Sequence, residues 1–200
     1  MKKALLGAPR VVALALGALL AACSSPAPPR FHSLLAAPGS VRAVASPVQV
    51  AWQLLPVSIP AQVDQPQFVV RRADDTFTVL EQERWVAPLN EEVRAALAEQ
   101  LTGVLGPAGS APAAGGKDWR IHVDVQRFDS TPGRTMLVAQ WALLANGDRP
   151  ALRCRSVLEQ AVGAGMPALA GGHRAALAQL GTAISQALAA LDAGRSTTCS

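Results

Sequence analysis

Tyrosine is absent from the chain, and only 4% of its residues are aromatic. A surface that reads nucleic acid needs a basic stripe with stacking rings beside it. This sequence supplies neither, and nucleic acid is excluded as a partner. Histidine occurs three times, at His32, His122 and His173, without the spacing that metal ligation requires. There is no GxSxG, P-loop, HExxH or dinucleotide fingerprint. Gly163-Ala164-Gly165 lacks the strand–turn–helix setting and the lysine of a phosphate cradle. Asp124 and Asp129 come nearest to paired carboxylates, but five residues apart in a strand they point to opposite faces. The expectation is a non-enzyme with no catalytic residue, cofactor or metal.

A long hydrophobic run is missing too. Val11 to Ala22 is a stretch of twelve apolar and small residues, and a membrane-spanning helix needs about twenty. What stands there is a secretory signal: Lys2, Lys3 and Arg10 form the basic start, and Leu20-Ala21-Ala22-Cys23 closes the apolar part. The alternatives are a buried core helix or an ordinary cleaved signal. Leu20-Ala21-Ala22-Cys23 resembles the bacterial lipobox, which implies cleavage before Cys23 and acylation of its thiol. Two acyl chains suffice for stable anchoring. Ser24 follows, not the Asp that retains lipoproteins at the inner membrane in enteric-type sorting, so the expected location is the outer membrane, facing the periplasm.

Removal of residues 1–22 lowers the formal charge from +4 to +1. The remainder has the length of one domain with a proper core. Residues 23–30 read as an acylated cysteine with a Pro-rich tether, and 31–200 as a single periplasmic domain. Besides Cys23, only Cys154 and Cys199 remain. In an oxidising compartment a disulfide between them is the default; two unpaired thiols are the alternative.

Short strands are expected at Phe31–Leu35 and Val48–Leu55. Pro56 and Pro60 confine Val57-Ser58-Ile59 to an edge or a turn. Gln67–Arg72 and Phe77–Glu81 flank a hairpin turn. A helix follows, with Asn90 as its N-cap, Glu91 and Glu92 at the positive end of its dipole, and Val93, Leu97, Leu101, Val104 and Leu105 on one stripe. Residues 106–117 read as a low-complexity loop. Trp119, Ile121, Val123 and Val125 alternate with Arg120, His122, Asp124 and Gln126, which predicts a strand with one wet face. His122 falls on that wet face. Turns at Thr131-Pro132-Gly133 and Asn146-Gly147-Asp148 lead to strands at 135–145 and 151–161, an antiparallel meander with the middle strand most apolar. After a glycine-rich link, Leu177, Leu180, Ile184, Leu188 and Leu191 form the seam of a final helix from about His173 to Leu191. The predicted fold is α+β: a two-layer domain with a mainly antiparallel sheet and two helices packed on one face.

Three stretches carry a family likeness: Leu55-Pro56-Val57-Ser58-Ile59-Pro60 with Asp64-Gln65-Pro66-Gln67 behind it, Glu83-Arg84-Trp85-Val86-Ala87-Pro88-Leu89, and Val123-Asp124-Val125-Gln126-Arg127-Phe128-Asp129. With the lipobox and the Ala-rich last helix, they resemble the ABC-type transport auxiliary lipoproteins, the family of paraquat-inducible protein C. The likeness covers nearly the whole chain after Cys23. Gln65 and Ala87 depart from the family's usual Arg and acidic residue. The resemblance implies a non-catalytic subunit of an envelope lipid transport system. Its partners would be an MCE-domain transport protein and an inner-membrane transporter component, with self-association into a homo-oligomer also compatible with the family. Arg84 and Trp85 are candidates for an exposed partner anchor, since Arg and Trp dominate interface hot spots; alternatively, Trp85 packs over the sheet. A second functional reading, a periplasmic lipid-binding carrier, requires a large internal apolar cavity.

Overall fold

The computed structural model describes residues 27–36, 50–109, 116–146 and 150–199. Cys23 and the expected signal segment lie outside these residues. So do residues 110–115 of the glycine-rich loop, 147–149 of the Asn146 turn, and the start of the strand expected from Val48. The described elements are β1 (Arg30–His32), β2 (Ala51–Leu54), β3 (Gln67–Arg71), β4 (Phe77–Trp85), α1 (Leu89–Leu105), β5 (Asp118–Thr131), β6 (Arg134–Ala145), β7 (Pro150–Ala161) and α2 (Met166–Asp192).

The fold is α+β, but the strands form two sheets where one was expected. β5, β6 and β7 make the antiparallel meander with β6 in the middle, and β2 joins β5 in parallel. β3 and β4 make the hairpin, and β1 joins β4 in parallel. Both parallel pairings close over long connections, which local turn chemistry cannot announce. Ser58, between its two prolines, adds one isolated parallel bridge to Asp124.

Trp119, Ile121, Val123 and Val125 are buried as the alternation requires, and His122 is exposed. The ladder then slips between Val125 and Arg127. Gln126 is the extra residue of a β-bulge, which reverses the parity of the strand beyond it. Phe128 and Ser130 thereby turn into the core, and Asp129 joins the face that carries Asp124. The expectation of opposite faces is wrong for that reason. The two carboxylates remain apart, because their partners Gln140 and Met136 are four residues apart on β6, roughly 13 Å of strand.

Both helices begin earlier than the sequence suggests. α1 starts at Leu89 with Pro88 at the N-cap and no side-chain cap bond. Asn90 does not cap it, because buried Leu89 pulls the chain into the helix one residue sooner, and the N–H groups of Glu91 and Glu92 already bond to the Pro88 carbonyl. α2 starts at Met166 rather than near His173, and Gly171-Gly172 is helical instead of a link. Close packing explains the glycine: a Cβ on Gly172 would stand 2.5 Å from Val162 Cγ1 and 2.7 Å from Thr135 Oγ1. Gly181 has the same role toward α1, where a Cβ would lie 2.8 Å from Gln100 Cβ.

The stripes of α1 (Val93, Leu97, Leu101, Leu105) and α2 (Leu177, Leu180, Ile184, Leu188) are buried in one continuous core with the apolar faces of both sheets. Each such side chain contributes about 1.5–3 kcal/mol by leaving water. Indole N–H groups fix the helix ends to the four-stranded sheet. Trp52 Nε1 donates to Gly106 O at 3.0 Å, and Trp119 Nε1 donates to Asp192 Oδ1 at 2.9 Å. Trp52 and Trp119 are register partners, so both helices end on the same face of that sheet.

Candidate docking face beside the N-terminal strand

Two buried carboxylates seat the segment 30–36 on the domain. Glu83 of β4 accepts from Arg30 and sits 2.6 Å from His32 Nε2. Burial by itself would raise the Glu83 pKa; the hydrogen bonds and charges of Arg30 and His32 outweigh that and hold it below the usual carboxylate value. Glu92 of α1 accepts from Leu34 N at 2.7 Å and from Ser33 Oγ at 2.8 Å. Arg174 of α2 donates to Ser33 O at 3.0 Å. The first described strand is therefore fastened to the hairpin sheet and to both helices.

The other side of this strand is open. Phe31 is 60% exposed and Val86 61%. Phe31 is the register partner of Arg84, and Val86 N bonds to His32 O at 2.9 Å, so Phe31, Arg84 and Val86 are neighbours at one surface. Arg84 is half-buried, and its Nε donates to Glu81 O at 3.1 Å. Large apolar side chains flanking a tethered guanidinium make a surface suited to contact with another protein.

Trp85 does not share that surface. Only 4% of it is exposed; its rings stack on Phe68 at 4.5 Å and meet Phe128 edge-on at 6.1 Å. The expectation of an exposed Arg84–Trp85 pair separates here, since successive residues of a strand face opposite ways. Trp85 packs in the core and Arg84 faces out. Phe31 and Val86 were not singled out from sequence. A phenylalanine at a strand start reads as core, but no element among the described residues covers this one.

Cys154 and Cys199 are joined, with Cα atoms 5.4 Å apart, within the range a bridge needs. The bond pins the tail after α2 onto β7. Among the described residues no group of three His, Cys, Asp or Glu is placed to hold a metal ion, and no helix is long and apolar enough to cross a membrane. Among the described residues, clefts of about 340, 660 and 530 Å³ lie at the surface beside His122 and Arg153, between β7 and α2, and between Leu35 and Arg174.

The domain is α+β, with β1 fastened to the hairpin sheet and Phe31, Arg84 and Val86 gathered at one rim. Residues 32–185 match the family described as ABC-type transport auxiliary lipoprotein component, and the chain belongs to that family. A comparison with curated proteins finds no similar sequence. Among solved structures, the chain resembles an uncharacterized protein (TM-score 0.64, 16% identity) over 80% of this chain and 99% of that one. It also resembles protein XCC0632 from Xanthomonas campestris, of the DUF330 family (TM-score 0.60, 15% identity), over 80% of this chain and 94% of that one. At these identities the structures attest the fold alone.

Proposed function

We propose that the protein is a non-catalytic outer-membrane lipoprotein subunit of an MCE/ABC-type envelope lipid transport system, docking the transporter and supporting membrane integrity. In this reading residues 1–22 are removed, Cys23 is acylated, residues 23–30 are the tether, and 31–200 is the periplasmic domain. The observation that carries the docking role is the exposed Phe31–Arg84–Val86 rim, seated on buried Glu83 and Glu92 where the tether enters the domain. Tethering raises the effective concentration of that rim near the membrane, so a modest interface suffices to hold a partner. The carrier reading lacks comparable support, because Leu and Ile side chains of the helices pack over the four-stranded sheet in one continuous core with its own Trp52 and Trp119.

The test is recovery of partners with the full chain from detergent-solubilised envelopes. The expected partners are an MCE-domain protein and an inner-membrane transporter component, with recovery reduced about tenfold or more by Arg84→Ala or Phe31→Ser. Trp85→Ala is unsuitable as a probe of the rim, since it empties the core. If no transport component comes with the protein while the purified protein extracts lipid alone, the carrier reading replaces this one. Anchoring is tested separately by Cys23→Ala, which should release the protein from the outer-membrane fraction.

A further inference from the structure

The meander carries a cleft of about 340 Å³ on the face turned away from both helices. His122, Ala142 and Arg153 are register partners across β5, β6 and β7. They project opposite to Val123, Trp141 and Cys154, which are buried. Neighbouring strands lie about 4.8 Å apart, so His122 and Arg153 stand roughly 10 Å from each other across β6. Between them is only the methyl group of Ala142, and this short side chain is the floor of the cleft. One row along the strands, Asp124 pairs with Gln140. On the other side of the floor lie Leu144 and Pro150, also register partners. Leu55, whose N bonds to Ile121 O at 2.9 Å, closes the β5 side.

Three kinds of lining therefore meet around Ala142. Arg153 and His122 are exposed, and the Arg153 side chain has no ion pair among the described residues; together they offer hydrogen-bond donors and positive charge. Asp124 accepts from Ser58 Oγ at 2.5 Å through Oδ1, which leaves Oδ2 to accept from a ligand, and the Gln140 amide beside it both donates and accepts. Leu55, Leu144 and Pro150 are half-buried and make an apolar wall. The last residue of a peptide carries three matching groups on one Cα: a carboxylate, an amide N–H and a side chain. A guanidinium grips a carboxylate with two parallel N–H···O bonds. A plain alkyl carboxylate fits less well, because it sets methylene groups against Asp124 and Gln140 and leaves them unpaired.

We propose that this cleft binds the free C-terminus of a polypeptide whose last side chain is apolar. Arg153, assisted by His122, takes the α-carboxylate. Asp124 accepts the last amide N–H, with Gln140 on the peptide group before it, and the last side chain lies over Ala142 against Leu55, Leu144 and Pro150. The cleft is on the four-stranded sheet and the Phe31–Arg84–Val86 rim is at the three-stranded one, so the site does not depend on the docking reading.

The test is titration calorimetry of the full chain in mild detergent with acetyl-alanyl-alanyl-leucine as the probe. The same peptide with its C-terminus amidated should bind about tenfold or more weakly, because the charge-assisted bonds are lost. The compound 4-methylpentanoate keeps the leucine side chain and carboxylate but has no amide N–H, and it too should bind about tenfold or more weakly. Arg153→Gln should lower the affinity for the acid about tenfold and erase its advantage over the amide. Ala142→Leu fills the floor and should abolish binding of every probe. Both substitutions lie on the outward face of the sheet, and an unchanged urea midpoint reports that each variant has folded; Arg153→Gln decides alone if Ala142→Leu does not fold. The proposal is overturned if the peptide acid does not bind at millimolar concentration, or if the acid and the amide bind equally. It is equally overturned if 4-methylpentanoate or free leucine matches the peptide, or if folded Arg153→Gln keeps the preference for the acid.

Discussion

Phe128 and His173 lie face to face, their ring centroids 3.7 Å apart and their planes 8° from parallel. They end a succession of ring contacts that runs from His32 through Phe68 and Trp85 across both sheets to α2. His173 is fully buried, with Nε2 2.8 Å from Ser130 Oγ, and burial pushes its pKa down from 6.5 to about 3.

That depressed pKa predicts an acid-sensitive fold. The folded protein holds His173 neutral, whereas the unfolded chain takes up a proton below pH 6.5. Stability is complete above that value and is lost as pH falls toward about 3, at up to about 1.4 kcal/mol per pH unit. Glu83, whose pKa is lowered, acts in the same direction at lower pH: its contribution is present above the ordinary carboxylate value and fades below it. Urea unfolding across this interval should show a shallower pH slope for His173→Phe than for the parent. Equal slopes would remove His173 from the explanation.

Neighbouring glycines of α2 should respond in opposite directions. Gly172→Ala drives a Cβ against Val162 and Thr135 and should cost about 1–3 kcal/mol. At Gly171 the nearest atom is an Arg174 nitrogen at 3.6 Å, ordinary contact for a Cβ, so Gly171→Ala should stabilise the helix by about 0.5–1 kcal/mol. Thermal unfolding of the two variants decides; the same sign for both would refute the packing account of Gly172.

The Cys154–Cys199 bridge spans 45 residues, which in the loop-entropy model corresponds to about 4 kcal/mol. Cys199→Ser should lower the urea midpoint strongly and make it insensitive to reductant, while the parent loses stability only when reduced. Two free thiols in the mass spectrum of the non-reduced parent protein would refute the bridge.

Glu92→Ala leaves the Leu34 amide without its acceptor, an expected cost of about 1–3 kcal/mol. Because the lost bonds all belong to segment 33–36, hydrogen exchange there should accelerate far more than in β5 or β6. Uniform acceleration across the domain would argue against a local fastening role.

The meander was legible because each of its strands alternates or is flanked by a strong turn, and these signals act over a few residues. Both helical seams were legible for the same reason: a stripe at three- and four-residue spacing has few other ways to leave water. Asn90 misled because a polar residue before a stripe looks like a cap whether or not the preceding leucine is drawn into the core. Gly171-Gly172 misled because a glycine required by a close approach reads like a glycine required by a turn. The bulge at Gln126 carries no signature in sequence, yet it decides which side Asp129 and Phe128 occupy.

Local pattern by itself determined the helices, the hairpin and the meander, along with the class of fold, since periodicity and turn chemistry are properties of adjacent residues. Tertiary structure alone decided the parallel placement of Arg30–His32 and Ala51–Leu54 and the burial of Trp85 beside an exposed Phe31. Each of these depends on which surface a distant segment covers, a competition for burial among residues far apart in the chain, and no stretch of neighbouring residues encodes its outcome.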